Sequence, residues 1–267
     1  MQSPGTPFSL CVITKDEEAR ISRCLASVPF ATDVVVLDSG SGDRTVELAA
    51  RAGARTFVEP FRGHVLQKAR AVELARHDWV LCLDADEELS PELAAEIARA
   101  LAAAAAPGGP NGFSLARKTW YAGRFIEHSG WWPEWRLRLF NRRCGGWTGS
   151  DPHDRVEVSG TTARLDGALW HYAYRDLEHH LEKVNRYTTT MARGMAAAGT
   201  RFGWSDVLFR PAARFVRMYF LRRGFLDGGR GFVLATIGAF YVFLKYAKLW
   251  ERTRAGGEPP SGATSGS

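Results

Sequence analysis

The first hundred residues alternate between short apolar runs and longer stretches in which apolar residues recur at helical spacing. The apolar runs have the length of buried strands and span residues 8–13, 33–38, 55–58 and 79–83. The stretches between them have the pattern of amphipathic helices and span residues 16–28, 43–52 and 64–76. Apolar strands that alternate with helices predict an α/β fold, with a mostly parallel sheet covered by helices on both faces.

Capping residues support several of the predicted helix boundaries. Asp43 is expected to cap the start of the second helix, and Gly53 lies just past its end, where glycine is favoured. Ser90 is a good N-cap and Pro91 suits the first helical position, so a further Ala-rich helix begins there. The Pro-Gly-Gly-Pro sequence at 107–110 ends that helix.

Beyond residue 110 the pattern changes. Residues 111–171 are rich in Trp, Gly and Arg, and their short strand-like pieces at 112–120, 136–140 and 164–170 predict the far half of the sheet. Residues 175–254 have a helical pattern. The predicted organisation is a catalytic domain at 1–173, with a nucleotide-binding half at 8–107 and an acceptor half at 111–173. A helical extension at 174–254 and a disordered tail at 255–267 follow.

Composition limits the class of protein. Hydrophobic residues make up 45% of the chain, enough for a substantial core. The four cysteines are far apart, which predicts buried reduced thiols and no zinc site or disulfide framework; they are Cys11, Cys24, Cys82 and Cys144.

Residues 1–7 lack a basic start followed by an apolar run, so no secretory signal is expected and the active part is predicted to be cytoplasmic.

The positive charge is concentrated near the C-terminus. Residues 201–267 contain 11 Lys and Arg against 4 Asp and Glu, and the arginines there alternate with aromatic residues. This pattern predicts an anionic membrane surface as a partner, although a packed helix whose arginine stems cover the catalytic domain is an alternative. Nucleic acid is not expected, because no recognition fold is visible.

The apolar segment at 231–250 leaves several functions open. It has the ~20 residues that a membrane span needs. Because Lys245 and Lys248 interrupt it, an interfacial helix or a helix that forms a homo-oligomer fits as well.

Acidic residues follow the predicted strands at the points where they end. Asp38 ends the second strand, and Asp84 and Asp86 follow the fourth. Ligands of parallel sheets bind outside the carboxyl ends of the strands, and carboxylates two residues apart suit Mg²⁺ or Mn²⁺. Asp38 suits a nucleotide ribose or base, with a helix cap as the alternative. No dinucleotide or P-loop motif is present.

These motifs, in this order, resemble the family 2 glycosyltransferases of GT-A fold over roughly residues 8–171. The resemblance rests on SLCVITKDEEARISRCLASV, VVVLDSGSGDRTVELAARAGARTF and LQKARAVELARHDWVLCLDADEELSPEL. It implies that Asp86 and Asp84 bind a metal and the donor diphosphate. His171, which follows a predicted strand, is the candidate for a further metal ligand. The resemblance also implies a nucleotide-sugar site formed by Thr14, Glu17, Asp38, Gly40, Gln67, Lys68 and Asp84.

Later segments are similar to the lipopolysaccharide core glycosyltransferases that put glucose on heptose. They are residues 128–140, 152–156 and 224–232. This resemblance implies an inverting reaction with Glu134 as general base, Asp154 being the second candidate. A loop salt bridge from Glu134 to Arg136 or Arg138 is the structural alternative. The chain has Glu134 where the family often has Asp, and Asp154 where it often has Glu, which changes the reach of each carboxylate.

The combined prediction is a metal-dependent transferase at the cytoplasmic face of the inner membrane. It would move a hexose, glucose by resemblance, from a UDP-sugar to a membrane-anchored saccharide such as the lipopolysaccharide core. A polyprenyl-phosphate glycosyltransferase is an alternative, because its phosphate acceptor needs no strong base. A membrane scaffold that retains an inactive transferase domain is another.

Overall fold

The computed structural model describes residues 6–104, 106, 108–150 and 153–254, so the predicted tail at 255–267 lies outside the described residues. The chain forms two compact units. Unit 1 contains the described residues up to 120 together with 132–173, and unit 2 contains 121–131 together with those from 174 onward. Residues 121–131, which the sequence analysis places in the catalytic domain, group with the C-terminal helices.

Unit 1 is built on one mixed sheet. Its first strands are β1 (Phe8–Thr14), β2 (Asp33–Asp38), β3 (Arg55–Val58), β4 (Trp79–Asp84) and β5 (Glu87–Leu89). The later strands are β6 (Gly112–Tyr121), β7 (Arg124–Phe125, in unit 2), β8 (Glu134–Asn141), β9 (Gly145–Ser150), β10 (His153–Val158) and β11 (Thr162–His171). The sheet order is β3-β2-β1-β4-β8-β6-β11-β5, and β9 and β10 form a separate hairpin.

The first four strands are parallel, as predicted, and the far half is mixed. Strand β8 is antiparallel to both β4 and β6, β11 is parallel to β6, and β5 is antiparallel to β11. The helices are α1 (Ile21–Ala26), α2 (Thr45–Arg51), α3 (His64–Glu73) and α4 (Pro91–Ala104). The Ser90 hydroxyl accepts a hydrogen bond from the Leu93 amide, so the predicted cap of α4 is confirmed.

The two faces of the sheet have separate cores. Leu10 and Val12 of β1 pack in one cluster with α1 and α4, whereas Cys11 packs in another with Leu37 and with Ala71 of α3. Successive strand residues point to opposite faces, so this division confirms that helices cover both sides. All four cysteines are free thiols and three of them are buried, in agreement with the sequence analysis.

The predicted start of the first helix is wrong by one turn or more. The backbone amides of Glu17 and Glu18 donate hydrogen bonds to the side chains of Thr45 and Asp43, and Asp16 has a left-handed backbone. Because these N–H groups bind the neighbouring loop, regular helix begins only at Ile21. Strand β5 and the β9–β10 hairpin were not predicted, because neither has a clear period-two apolar pattern.

Unit 2 is helical, with α5 (Leu177–Ala197), α6 (Trp204–Val216), a π-helical turn (Arg217–Leu221), a 3-10 turn (Gly224–Asp227) and α7 (Gly229–Arg254). Helix α7 packs on α5 and α6. The ammonium group of Lys248, which interrupts the apolar segment, binds Asn185 Oδ1 at 2.6 Å and Thr189 Oγ1 at 2.7 Å on α5. Among the described residues, α7 is the one helix with the length and apolar composition needed to cross a membrane.

The glycine-rich segment at 224–232 is a packing element of unit 2. A Cβ atom on Gly231 would lie 1.7 Å from the carbonyl oxygen of Gly224, so only glycine fits there. The buried carboxylate of Asp227 accepts hydrogen bonds from the amide of His128, at 2.9 Å, and from its Nδ1, at 3.2 Å. Residues 121–131 are thereby tied to the helical unit.

Candidate functional site

The carboxyl ends of three neighbouring strands bring the predicted acids to one edge of the sheet. In the parallel register, Thr14 of β1 lies opposite Asp38 of β2, and Ile13 lies opposite Asp84 of β4. Asp38 and Asp84 therefore flank the end of β1. The prediction that Asp38 and Asp84 lie at the same edge of the sheet is confirmed.

Asp38 organises the loop that follows it. Its buried carboxylate accepts hydrogen bonds from the amides of Gly40 and Ser41, both at 2.8 Å, and from the Ser41 hydroxyl. Gly40 has a φ of 87°, which glycine accommodates without strain. Glu17 is bound through its amide to Thr45 on the same side of the sheet. The nucleotide-binding roles of Asp38, Gly40 and Glu17 stay predictions.

Among the buried polar groups of the described residues that have no hydrogen-bond partner, two are suited to contact a ligand at this edge. They are the Thr14 hydroxyl and the Gln67 amide, whose nitrogen and oxygen are both unpaired. Gln67 is fully buried and lies one helical turn before Ala71, on the face of α3 that packs on the sheet. Buried amides are normally hydrogen-bonded, so an unsatisfied one is unusual outside a ligand site.

A chain of ion pairs surrounds Asp84. Lys68 Nζ lies 3.0 Å from Asp84 Oδ1 and 2.8 Å from Asp154 Oδ2, and Arg138 Nη2 lies 2.7 Å from Asp84 Oδ2. Burial alone would raise the pKa of Asp84, but the charges of Lys68 and Arg138 outweigh it and hold that pKa well below its ordinary value. Burial is likewise outweighed at Asp154, where Lys68 lowers the pKa. Both acids are ionised at neutral pH.

Glu134, the first candidate base, lies at the start of β8 between two arginines. Its Oε2 is 2.6 Å from Arg117 Nη2, and its Oε1 accepts a hydrogen bond from Arg136 Nε at 3.1 Å. Burial opposes ionisation, but these two arginines lower the pKa of Glu134. The alternative prediction, a salt bridge from Glu134 to Arg136, is confirmed. The other partner of Glu134 is Arg117 and not Arg138, which binds Asp84 and Glu87.

Asp86 and His171 form a pair that suits a divalent metal. His171 Nε2 lies 3.7 Å from Asp86 Oδ2, and Nδ1 is 3.3 Å from the hydroxyl of Thr119, which orients the ring. Burial lowers the pKa of His171, so its imidazole is neutral and able to bind a cation.

A divalent metal at Asp86 and His171 would need further ligands from outside the protein. Within the described ranges, no three His, Cys, Asp or Glu side chains are gathered for a metal. Mg²⁺ and Mn²⁺ commonly use one or two protein carboxylates with waters and substrate phosphates, so a pair of ligands fits them. Asp84 already binds two cationic side chains, and its role as a metal ligand stays a prediction.

Three charged residues of the site were not predicted from the sequence: Glu87, Arg117 and Arg138. Arg117 and Arg138 lie in strands that contain many apolar residues, at positions where packing does not require a charge, and Glu87 lies in the short acidic strand after Asp86. For the two arginines, the signal in the sequence is a charge inside a segment that is predicted to be a strand; for Glu87 the sequence has no such signal. Arg138 was considered only as a salt-bridge partner of Glu134, and it binds Asp84 and Glu87.

Comparison with known proteins identifies similar sequences. The family model described as glycosyl transferase family 2 matches residues 9–158. An uncharacterised glycosyltransferase of Rickettsia typhi is 34% identical over 256 residues, covering 91% of this chain and 87% of that protein. The lipopolysaccharide core biosynthesis glycosyltransferase LpsC of Rhizobium meliloti is 31% identical, covering 93% of this chain and 94% of that protein.

A similar solved structure is the mannosyltransferase PcManGT of Pyrobaculum calidifontis, in complex with GDP-Man and Mn²⁺. It has a TM-score of 0.54 and 15% identity and covers 94% of this chain and 90% of that one. At this identity the likeness concerns the fold alone.

Proposed function

Because the chain belongs to glycosyltransferase family 2 and has the GT-A fold, we propose that it transfers a hexose from a UDP-sugar to a membrane-anchored saccharide. The observation that carries this proposal is the edge of the sheet where Asp38, Asp84 and Asp86 follow neighbouring strands beside buried cationic side chains. LpsC, named for lipopolysaccharide core biosynthesis, supports a core saccharide as acceptor. Glucose is the proposed sugar.

The donor would lie over the carboxyl ends of β1, β2 and β4. Asp38, with the loop at Gly40, and the side chains of Thr14 and Gln67 would bind the nucleoside, while Lys68 would contact the diphosphate. Asp86 and His171 would hold Mg²⁺ or Mn²⁺, which neutralises charge on a diphosphate leaving group when it is bound. Asp84, paired with Lys68, keeps that lysine in place until the donor arrives.

Glu134 would act as the base that accepts the proton of the acceptor hydroxyl, giving inversion at the sugar carbon. It is ionised and half-buried, and Arg117 and Arg136 hold its two oxygens. Asp154 is the second candidate, and its pairing with Lys68 directs it toward the donor instead. This contrast favours Glu134.

The surface of unit 2 supports a membrane location. Helix α6 has no buried residue. The segment from 204 to 226 exposes large apolar side chains, namely Trp204, Leu208, Phe209, Val216, Phe220, Leu221, Phe225 and Leu226. The same segment exposes arginines, namely Arg210, Arg214, Arg217, Arg222 and Arg223. Apolar and cationic groups on one segment suit the cytoplasmic face of an anionic membrane. Contact between copies through these helices is a second use of this surface.

A donor screen tests the proposal. The protein is incubated with UDP-glucose, UDP-galactose, UDP-N-acetylglucosamine or GDP-mannose, with Mg²⁺ or Mn²⁺, and donor hydrolysis and transfer are measured. We expect turnover of a UDP-hexose that requires the metal and is abolished in Asp86→Asn. Normal hydrolysis by that variant would show that the metal assignment is wrong. UDP binding without turnover on any acceptor would favour the scaffold alternative.

A further inference from the structure

A buried glutamate lies directly after the predicted metal-binding aspartate. Glu87 is fully buried, and its Oε2 accepts a hydrogen bond from the backbone amide of Asp84 at 3.0 Å. Its Oε1 accepts hydrogen bonds from Arg138 Nη2, at 2.9 Å, and Arg117 Nη1, at 3.4 Å. One carboxylate therefore closes the turn after β4 and pairs with two arginines.

Each of these arginines also binds an acid of the site. Arg138 Nη2 is 2.7 Å from Asp84 Oδ2, and Arg117 Nη2 is 2.6 Å from Glu134 Oε2. Glu87 is thus the common acid of two arginines. Arg138 connects it to Asp84, in the predicted donor site, and Arg117 connects it to Glu134, the candidate base.

The backbone of Glu87 adds a third connection. Strand β5 is antiparallel to β11, and Glu87 lies opposite His171 in that register. The same short strand therefore sets the position of the imidazole that faces Asp86. A displacement of the Glu87 backbone would therefore shift Asp86 and His171, two of the three predicted metal ligands.

Stability alone is a weak reason for such a residue. A buried ion pair loses so much hydration that replacing it by apolar groups is often neutral or stabilising. A buried carboxylate shared by two arginines does, however, hold their guanidinium groups in fixed positions. Preorganised charges of this kind act most strongly where charge develops in a transition state.

We propose that Glu87 is a positioning residue, which holds Arg138 on Asp84 and Arg117 on Glu134 so that the donor site and the base are aligned together. The inference rests on the proposed glycosyl transfer. Without the negative charge of Glu87, the two guanidinium groups lose their common acid; Arg138 keeps its ion pair with Asp84, whereas Arg117 is no longer fixed and can move together with Glu134. The base is then misaligned although the donor still binds.

Glu87→Gln tests this, and the adjacent Glu88→Gln is its matched control. Glu88 is also buried and is paired with an arginine, but its partner is Arg23 of α1. We expect Glu87→Gln to lower kcat about 100-fold, with a change of less than about threefold in the KM of the donor and in the affinity for UDP. Glu88→Gln should retain kcat within about threefold. Glu87→Asp, which keeps the charge, should recover part of the loss.

A second measurement separates positioning from a general loss of structure. In a double-mutant cycle, Glu87→Gln combined with Glu134→Gln should cost little more than Glu134→Gln alone, because both act on the same base. Full additivity, wild-type kcat in Glu87→Gln, or equal losses in both variants that follow their melting temperatures would overturn the inference. Failure of the wild-type protein to turn over any donor would instead contradict the proposed function.

Discussion

In unit 1, the side chains of Lys68 and Arg138 are buried, Arg117 is partly buried, and all three are paired with acids. In unit 2, the arginines between 210 and 223 are exposed, and so are apolar side chains beside them. A buried charge pair is expensive to form and sensitive to geometry. An exposed arginine can bind an external anionic partner, and the attraction between them weakens as the salt concentration rises.

The difference indicates that unit 1 depends on the exact positions of its charged side chains and that unit 2 does not. In unit 1, the loss of one charge disturbs the side chains that share its partner, so a single substitution of a residue that acts on the substrate should have a large effect. In unit 2, internal packing should carry the stability, and surface residues should affect association only.

Glu134→Gln should lower kcat about 1000-fold, because the amide has the shape of the carboxylate but cannot accept the acceptor proton. The KM of the donor should change little. Initial rates of transfer at saturating donor measure both. Asp154→Asn is the comparison, and it should lower kcat by less than about tenfold. If both variants transfer sugar normally, the polyprenyl-phosphate alternative is favoured.

Gly231→Ala should destabilise unit 2 by about 3 kcal/mol, because the new Cβ atom would overlap the backbone of Gly224. Gly229→Ala, two residues earlier in the same helix, is the control, since its Cβ would meet no atom within 4 Å. It should be neutral or slightly stabilising. Chemical denaturation of the two variants measures the difference. Equal stability of both would show that this close approach is absent in solution.

His180 should make the stability of unit 2 fall at acid pH. It is buried against Tyr121, and burial, with the charge of Lys183, lowers its pKa to about 4 from 6.5. The unfolded chain therefore takes up a proton first as the pH falls, and about 2 kcal/mol should be lost between pH 6.5 and 4. Melting curves of the wild type and His180→Gln measure this loss. A parallel pH dependence in both would contradict it.

Association with membranes should be weakened about tenfold by Leu208→Ser combined with Phe209→Ser, since both side chains are exposed on α6. Co-sedimentation with vesicles of phosphatidylglycerol and phosphatidylcholine measures it, and binding should fall as salt is raised. Val58→Ser, which removes an equally exposed side chain from unit 1, should bind as the wild type does. If the wild type is a dimer in solution and the double variant is a monomer that still binds vesicles, this surface serves contact between copies instead.

The sequence predicts best those features that depend on neighbouring residues in the chain, such as apolar strands and the acids that end them. The apolar runs located β1 to β4, and the acids that end them, such as Asp38 and Asp84, fell at one edge of the sheet. Glu87 was not found, because its role depends on two arginines that are 30 and 51 residues away in the chain. The start of α1 was misplaced because amide bonds to the loop at Asp43 and Thr45 replaced helical ones.

The smallest predicted effect is at Gln67 and has the opposite sign from most core substitutions. Its buried amide has no partner among the described residues, so it carries a desolvation cost that a side chain of similar shape and no polar atoms avoids. Gln67→Met should therefore stabilise the free protein by about 1 kcal/mol and weaken UDP binding about tenfold. Calorimetric titration with UDP and with pyrophosphate separates a nucleoside contact from a diphosphate contact. If Gln67→Met destabilises the free protein and binds UDP normally, the amide serves the fold and not the donor.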